Sequence, residues 1–248
     1  MDISLAIILA GAAVAGLIQG LSGFAFGLVS MSFWAWIAEP SQTATMAVFG
    51  ALIGQIVAMF SLRPQFSLRK LLPYLIGGLA GIPFGVLLLP VMDPYMFKAT
   101  LGLLLAVWCP LMLLLPRLPR VQLDHPLADG TVGWIGGLMS GLSGIAGAIP
   151  TLWCNLRHMD KDQQRAIIQT FNLTMLAVTM AGYLLTGTIT RETWPMLASI
   201  APVVILFSFL GTKLYLGISP AAFRRIVLSL LTLSGITLLG SAFHHYIG

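Results

Sequence analysis

Apolar residues run along this chain in long blocks, separated by short clusters of charged and turn-forming residues. Eight blocks stand out, at roughly 3–37, 43–61, 71–90, 95–115, 132–156, 164–186, 194–216 and 223–243. Most approach the ~20 residues that a helix needs to cross the hydrocarbon core of a bilayer. The longest polar connection, 116–131, divides the chain nearly in half. The pattern predicts an all-α polytopic membrane protein, one integral membrane domain built from residues 1–130 and 131–248.

Composition agrees and narrows the choice. Of 248 residues, 58% are hydrophobic and 8% charged, against about 25% charged in an ordinary soluble domain. So few charges cannot cover a water-soluble surface, which excludes a soluble enzyme and a nucleic-acid module. The mean hydropathy of +0.94 makes the lipid bilayer the solvent. A net charge of +5 therefore reads as cytoplasmic loop charge. Cys109 and Cys154 both lie in apolar blocks and read as small core residues, with no disulfide framework, metal site or cofactor implied. Met1-Asp2-Ile3-Ser4 lacks a basic signal-peptide region, so the first block is expected to be retained.

The two halves resemble each other. Gly16-Leu17-Ile18-Gln19-Gly20-Leu21-Ser22-Gly23-Phe24-Ala25 aligns with Gly137-Leu138-Met139-Ser140-Gly141-Leu142-Ser143-Gly144-Ile145-Ala146, identical at seven of ten positions. Asp93-Pro94 and Ser219-Pro220 then open the last block of each half, so the offsets are 121 and 126. An internal duplication follows. Charge placement adds a topology. If every block crossed once, Lys and Arg would divide six against seven; if 132–156 returns to the side it entered, they divide eleven against two, Lys98 and Arg191. The second arrangement obeys the positive-inside bias. The Leu142-Ser143-Gly144 break leaves arms of about ten and twelve residues, too short to span separately. Block 3–37 takes the same shape by homology of the repeats. Each half is then a broken, re-entrant hairpin plus three crossings, and the odd number of crossings inverts the second half relative to the first.

Inverted repeats tend to hold substrate near the midplane, on broken helices whose N-termini face an anion. Both breaks are expected at the Gly-Leu-Ser-Gly motifs, with half-helices starting near Phe24 and Ile145 and presenting free N–H groups. Ser22 and Ser143 can cap those ends. The alternative use of the glycines is close helix packing. Gln19, Gln55, Asn155, Gln169 and Asn172 lie within apolar blocks and must face the protein interior. Any one of them can be helix–helix glue, whereas Gln169 and Asn172 share a helix face and are read as ligand contacts. The candidate site is thus Gln19, Ser22, Gly23, Phe24, Ala25, Ser143, Gly144, Ile145, Ala146, Gln169 and Asn172. Trp34, Trp36 and Trp153 either anchor at the membrane interface or wall the pocket, and Trp194 reads as an anchor. All eight acidic residues, and the four histidines, fall at termini, in loops or beside them, which argues against a proton relay.

Paired Gly-rich breaks opening duplicated halves, a length near 250 and a short basic central loop resemble the sulfite/organosulfonate exporter TauE/SafE family across essentially the whole chain. The family pattern carries further glycines after the break; here Phe24-Ala25-Phe26-Gly27 and Ile145-Ala146-Gly147-Ala148 are bulkier, which bears on pocket size. The resemblance implies a multi-pass carrier of the cell inner membrane that moves small sulfur-containing anions such as sulfite or sulfoacetate, often outward. Its partners would be that anion and the lipid bilayer, with a second copy of the chain allowed and no nucleic acid. The alternatives are an importer coupled to an ion, a non-transporting membrane subunit and an intramembrane serine protease. The last needs a base beside Ser22 or Ser143 at membrane depth, and no histidine of the sequence falls there. Cysteine-accessibility labelling tests the topology: 62–70 and 157–163 are expected on the same, cytoplasmic face, and labelling from opposite faces would remove the re-entrant hairpin.

Overall fold

The computed structural model describes residues 3–60, 68–114, 125–214 and 220–247. Ten α-helices fill them: α1 (Ile3–Ser22), α2 (Phe26–Trp34), α3 (Pro40–Phe60), α4 (Leu68–Leu88), α5 (Pro94–Leu114), α6 (Pro126–Ser143), α7 (Ala148–Leu156), α8 (Lys161–Leu185), α9 (Thr193–Leu214) and α10 (Pro220–Ile247). A single 3-10 turn, Leu89–Val91, follows α4. Among the described residues seven helices are long and apolar enough to cross a membrane: α1, α3, α4, α5, α8, α9 and α10. The six expected crossings are all among them. Arg63, Arg117 and Arg120 of the charge tally lie outside the described residues.

The block 132–156 differs from expectation in one arm. α6 has 18 residues and begins at Pro126, not near 132, while α7 has only nine. Residues 126–131 are therefore helix and not part of the polar connection 116–131. The local cause is a helix start: His125 is extended, its Nδ1 accepts from the Leu127 N–H at 3.2 Å, and Pro126 sits at the first helical position. Proline there sacrifices no hydrogen bond.

Both short helices fold back along the helix before them. Trp34 of α2 donates its indole N–H to the Ile8 carbonyl of α1 at 3.1 Å. Trp153 of α7 donates to Asp129 of α6 at 2.7 Å. Each pair is a hairpin whose two ends lie together. Lys70 at the start of α4 donates to Gln163 at the start of α8 at 3.2 Å, so these ends share one end of the bundle. Lys98, at the start of α5, lies 5.3 Å from the Trp36 ring just beyond α2, at the other end.

Glycine sets the helix spacing. α4 and α6 run parallel, and a Cβ added at Gly77, Gly81 or Gly85 would collide with the Gly130, Trp134 or Leu138 carbonyl. The reverse holds at Gly133 and Gly137, which meet the Tyr74 and Gly78 carbonyls. α1 and α9 repeat this: Gly20 meets the Ser208 carbonyl and Gly211 meets that of Leu17. α5 and α10 touch at Gly102 and Gly235. In hydrocarbon there is little hydrophobic gain from joining two apolar helices, so close backbone approach and dispersion carry the association. The outer faces stay apolar, with Ile76, Leu87, Leu103, Val107, Leu206 and Leu233 exposed toward what is lipid in a bilayer.

Gly81→Ala is expected to force α4 from α6 and lower stability by about 1–3 kcal/mol, the usual cost of overpacking. Gly130→Ala places its Cβ 3.7 Å from the nearest atom, the Pro73 carbonyl oxygen, and should be neutral or stabilising through helix propensity. Thermal unfolding of both variants in detergent checks the contrast, and equal shifts would contradict it.

Candidate substrate site

The two Gly-Leu-Ser-Gly motifs behave alike, and their glycines divide the labour. Gly20 and Gly141 are packing positions, each with a Cα within reach of a glycine on the neighbouring helix, Gly211 and Gly85. Gly23 and Gly144 are the breaks, with φ of +84° and +69°. This left-handed backbone costs ~1–2 kcal/mol for a residue with a Cβ. Their own N–H groups close the last helical turn, Gly23 to the Gln19 carbonyl at 2.6 Å and Gly144 to that of Ser140 at 2.8 Å.

Beyond the breaks the second helices begin later than expected, at Phe26 and Ala148 instead of near Phe24 and Ile145. The Ser22 Oγ accepts from the Ala25 and Phe24 N–H groups at 3.3 and 3.5 Å, in the link between α1 and α2. The Ser143 hydroxyl instead donates back to the Met139 carbonyl at 3.0 Å, and neither α2 nor α7 has a side-chain cap. The N–H groups of Ile145, Ala146, Gly147 and Ala148 have no acceptor among the described residues. They add to the positive end of the α7 dipole.

The breaks approach each other. A Cβ on Gly27, in the first turn of α2, would lie 2.9 Å from the Gly144 carbonyl oxygen and 3.1 Å from Ile145. Each break also rests on the third helix of the other half: Gly144 lies against Val48 of α3, and Gly23 faces Gln169 of α8, positions again 121 apart in sequence. One turn on, Asn172 fills the space left by the absent side chain of Gly147. Gln169 and Asn172 are 4% and 2% exposed, yet neither side chain has a hydrogen-bond partner among the described residues, and the Asn172 Oδ1 is sealed from solvent. Buried amides left open are costly. The structure thus sets Gly23 against Gln169, Gly147 against Asn172 and the start of α2 against Gly144 and Ile145; Phe24, Ala25 and Ala146 follow the breaks in sequence, and Ser22 and Ser143 precede them.

Gln19 is turned to other work: its Nε2 donates to the Ala51 carbonyl at 2.9 Å and its amide packs on Gly54. Gln55, which the sequence marks only as an amide in an apolar block, reaches the Gln169 carbonyl at 3.4 Å and keeps an unpartnered Oε1. Asn155 bonds within its own helix, to the Thr151 carbonyl. On the α2 side Phe26 packs its ring into Gly50, so one half presents an aromatic plug where the other presents Gly147 and Asn172.

Asp129 corrects the expectation that every acid lies in a loop or beside one. It is buried in α6 and accepts from Tyr74 Oη at 2.8 Å, Trp153 Nε1 at 2.7 Å and Arg157 Nη1 at 2.8 and 3.2 Å. The cluster ties the open end of the α6–α7 hairpin to α4. Trp153 and Trp34 are therefore hairpin ties, neither interfacial anchors nor pocket walls, whereas Trp36 and Trp194 are exposed at helix ends as anchors are.

A protein-family model, Sulfite exporter TauE/SafE, matches residues 8–238. No curated protein and no solved structure matches the chain.

Both breaks need glycine, but not equally. An added Cβ at Gly23 meets nothing nearer than Gln169 at 3.9 Å, whereas one at Gly144 lies 3.0 Å from the Val48 backbone nitrogen. Gly23→Ala should cost roughly the 1–2 kcal/mol of left-handed strain, and Gly144→Ala clearly more. Paired thermal melts check this, and a larger loss at Gly23 would contradict the assignment.

Proposed function

Because the chain belongs to the sulfite exporter TauE/SafE family, a family of membrane transporters of sulfur-containing anions such as sulfite, we propose that it is an inner-membrane carrier holding its anion between the two helix breaks. The reading rests on one observation above the others: two left-handed glycines turn two helix starts toward a shared place, where the open amides of Gln169 and Asn172 face them. Uncapped N–H groups and a helix dipole suit a sulfite or sulfonate oxygen. Amide N–H groups add donors without bringing a counter-charge that would hold the anion too tightly to leave.

In the same reading the halves are inverted repeats. Two parallel pairs support it: α1 lies with α9 and α6 with α4, while α1 and α6 start at opposite ends of the bundle. The end carrying Arg69, Lys70, Arg157, Arg165 and Lys213 is cytoplasmic, and that of Lys98 and Arg191 is external.

Export follows from energetics. Asp129 is engaged with Arg157 and two further donors, so the site has no acid of its own to carry a coupling proton. An anion leaving an inside-negative cell gains about 2.3 kcal/mol per charge per 100 mV. Electrogenic export of a sulfur-containing anion therefore needs no second ion. A serine nucleophile is disfavoured, because the Ser143 hydroxyl is committed to Met139 and the Ser22 oxygen to the Phe24 and Ala25 N–H groups.

Labelled sulfite flux in proteoliposomes with a clamped potential is the test. Flux should respond to potential, and Gln169→Leu and Asn172→Leu should each lower it by one to two orders of magnitude, the worth of ~1.5–3 kcal/mol for a hydrogen bond to an anion. Their melting temperatures should hold, since neither amide bonds to protein. Strict dependence on a pH or Na⁺ gradient, or normal flux in both variants, would refute the proposal.

A further inference from the structure

Asp129 is a buried acid that the carrier reading leaves without a task. Its Oδ1 gathers donors from two helices: Tyr74 Oη of α4 at 2.8 Å, Trp153 Nε1 of α7 at 2.7 Å, and Arg157 Nη1 at the end of α7 at 2.8 Å. The same Arg157 nitrogen reaches Oδ2 at 3.2 Å. Trp153 and Arg157 are four residues apart and so share one face of α7. One tie would let the helix pivot; two on one face, converging on one oxygen, fix its rotation as well as its tilt. α7 needs that hold. Its nine residues fall short of the ~12–15 at which even a good isolated helix is marginal, and its start has no side-chain cap. At that start lie the open N–H groups of residues 145–148.

Resting on the anion-carrier reading above, we propose that Asp129 is a positioning residue for the transported anion. It touches no ligand. From the far end of α7, a helix about 13 Å long at 1.5 Å per residue, it aims the open N–H groups at the helix start. Tyr74 passes the hold to α4, which is locked to α6 through their glycines. The donors are thereby set before the anion arrives, and binding spends nothing on ordering them. Position, not charge, is what Asp129 supplies. Its pair with Arg157 is largely shielded from solvent, so an uncompensated carboxylate there would repel an anion with little screening. Arg157 cancels that field while serving as one of the two ties.

Position and field predict opposite signs, which makes the experiment decisive. Asp129→Asn keeps an oxygen for Tyr74 and Trp153, removes one negative charge and weakens the tie to Arg157. Acting through its field, the lost charge would let an anion bind more tightly. Acting through position, the freed helix should raise the KM for sulfite about tenfold or more, because donors displaced by an ångström lose most of their hold. The readout is labelled sulfite flux against concentration in proteoliposomes, per folded carrier, with KM rising more than maximal flux falls. Trp153→Phe, which keeps the ring and the charge pair, should raise KM about two- to tenfold, the worth of one hydrogen bond. Adding Arg157→Gln to Asp129→Asn should change KM little further, since the pair acts as one unit. A KM at or below that of wild type in Asp129→Asn overturns the proposal. A lower maximal flux and melting temperature at unchanged KM in both single variants also overturns it, being the mark of a tie that serves the fold alone. Should Asp129→Asn fail to fold, an unchanged KM in Trp153→Phe overturns the proposal by itself. Absence of sulfite flux in wild type would instead remove the carrier reading on which the proposal rests.

Discussion

A broken helix inside a membrane must find protein for every backbone group that it frees, because hydrocarbon offers none. The rest of this architecture follows from that constraint. Each break is sheltered by the opposite half of the chain: Gly144 by Val48 of α3 and Gly23 by Gln169 of α8. For those shelters to reach the breaks, helices must approach to backbone contact, and the glycines along α4, α6, α1 and α9 permit it. Among the described residues, buried polar atoms without a partner remain at several places, including Thr45, Thr151, Thr170 and Ser208, but beside the second break open N–H groups and the amides of Gln169 and Asn172 occur together.

Much of this was legible in residues. The repeated Gly-Leu-Ser-Gly located both breaks, since a motif conserved within one chain at a constant offset identifies a shared backbone demand. Glycines at intervals of four, at 77, 81 and 85 and again at 133, 137 and 141, form small-residue stripes, a packing signal on which no expectation above rested. Reading the motif as a choice between break and packing was too coarse, because Gly20 and Gly141 do one job while Gly23 and Gly144 do the other. The start of α6 was missed although Pro126 after His125 is a helix-start signal; the polar residues around it resembled a loop. Asp129 was miscounted for the same reason. Its partners Tyr74, Trp153 and Arg157 come from three distant stretches, and no local pattern announces a cluster assembled by tertiary contact.

The two halves share a plan without sharing a site. Phe26 occupies Gly50 in one, and Asn172 occupies the space beside Gly147 in the other. The Ser22 Oγ accepts from the two N–H groups just past its break, while Ser143 turns away to Met139. The N–H groups just past the second break therefore stay open. The charged tie at Asp129 also belongs to the second hairpin, whereas the first is held at the matching position by a neutral bond from Trp34 to the Ile8 carbonyl. The half that exposes the more donors is thus the more firmly braced, as preorganised recognition requires.

The pairing of α1 with α9 has a consequence in time. The glycine face of α1 is complete once residue 22 is made, but Gly211 and the Val204, Ser208 and Thr212 backbone atoms that cover it come some 190 residues later. At about 5–20 residues per second of synthesis, the first hairpin waits roughly ten to forty seconds for its partner. Throughout that interval a helix break with open N–H groups exists before the protein that will shelter it. A nascent chain of this design therefore depends on its surroundings, either the insertion machinery or the hydrated interface, to hold the first hairpin until the second half has been made.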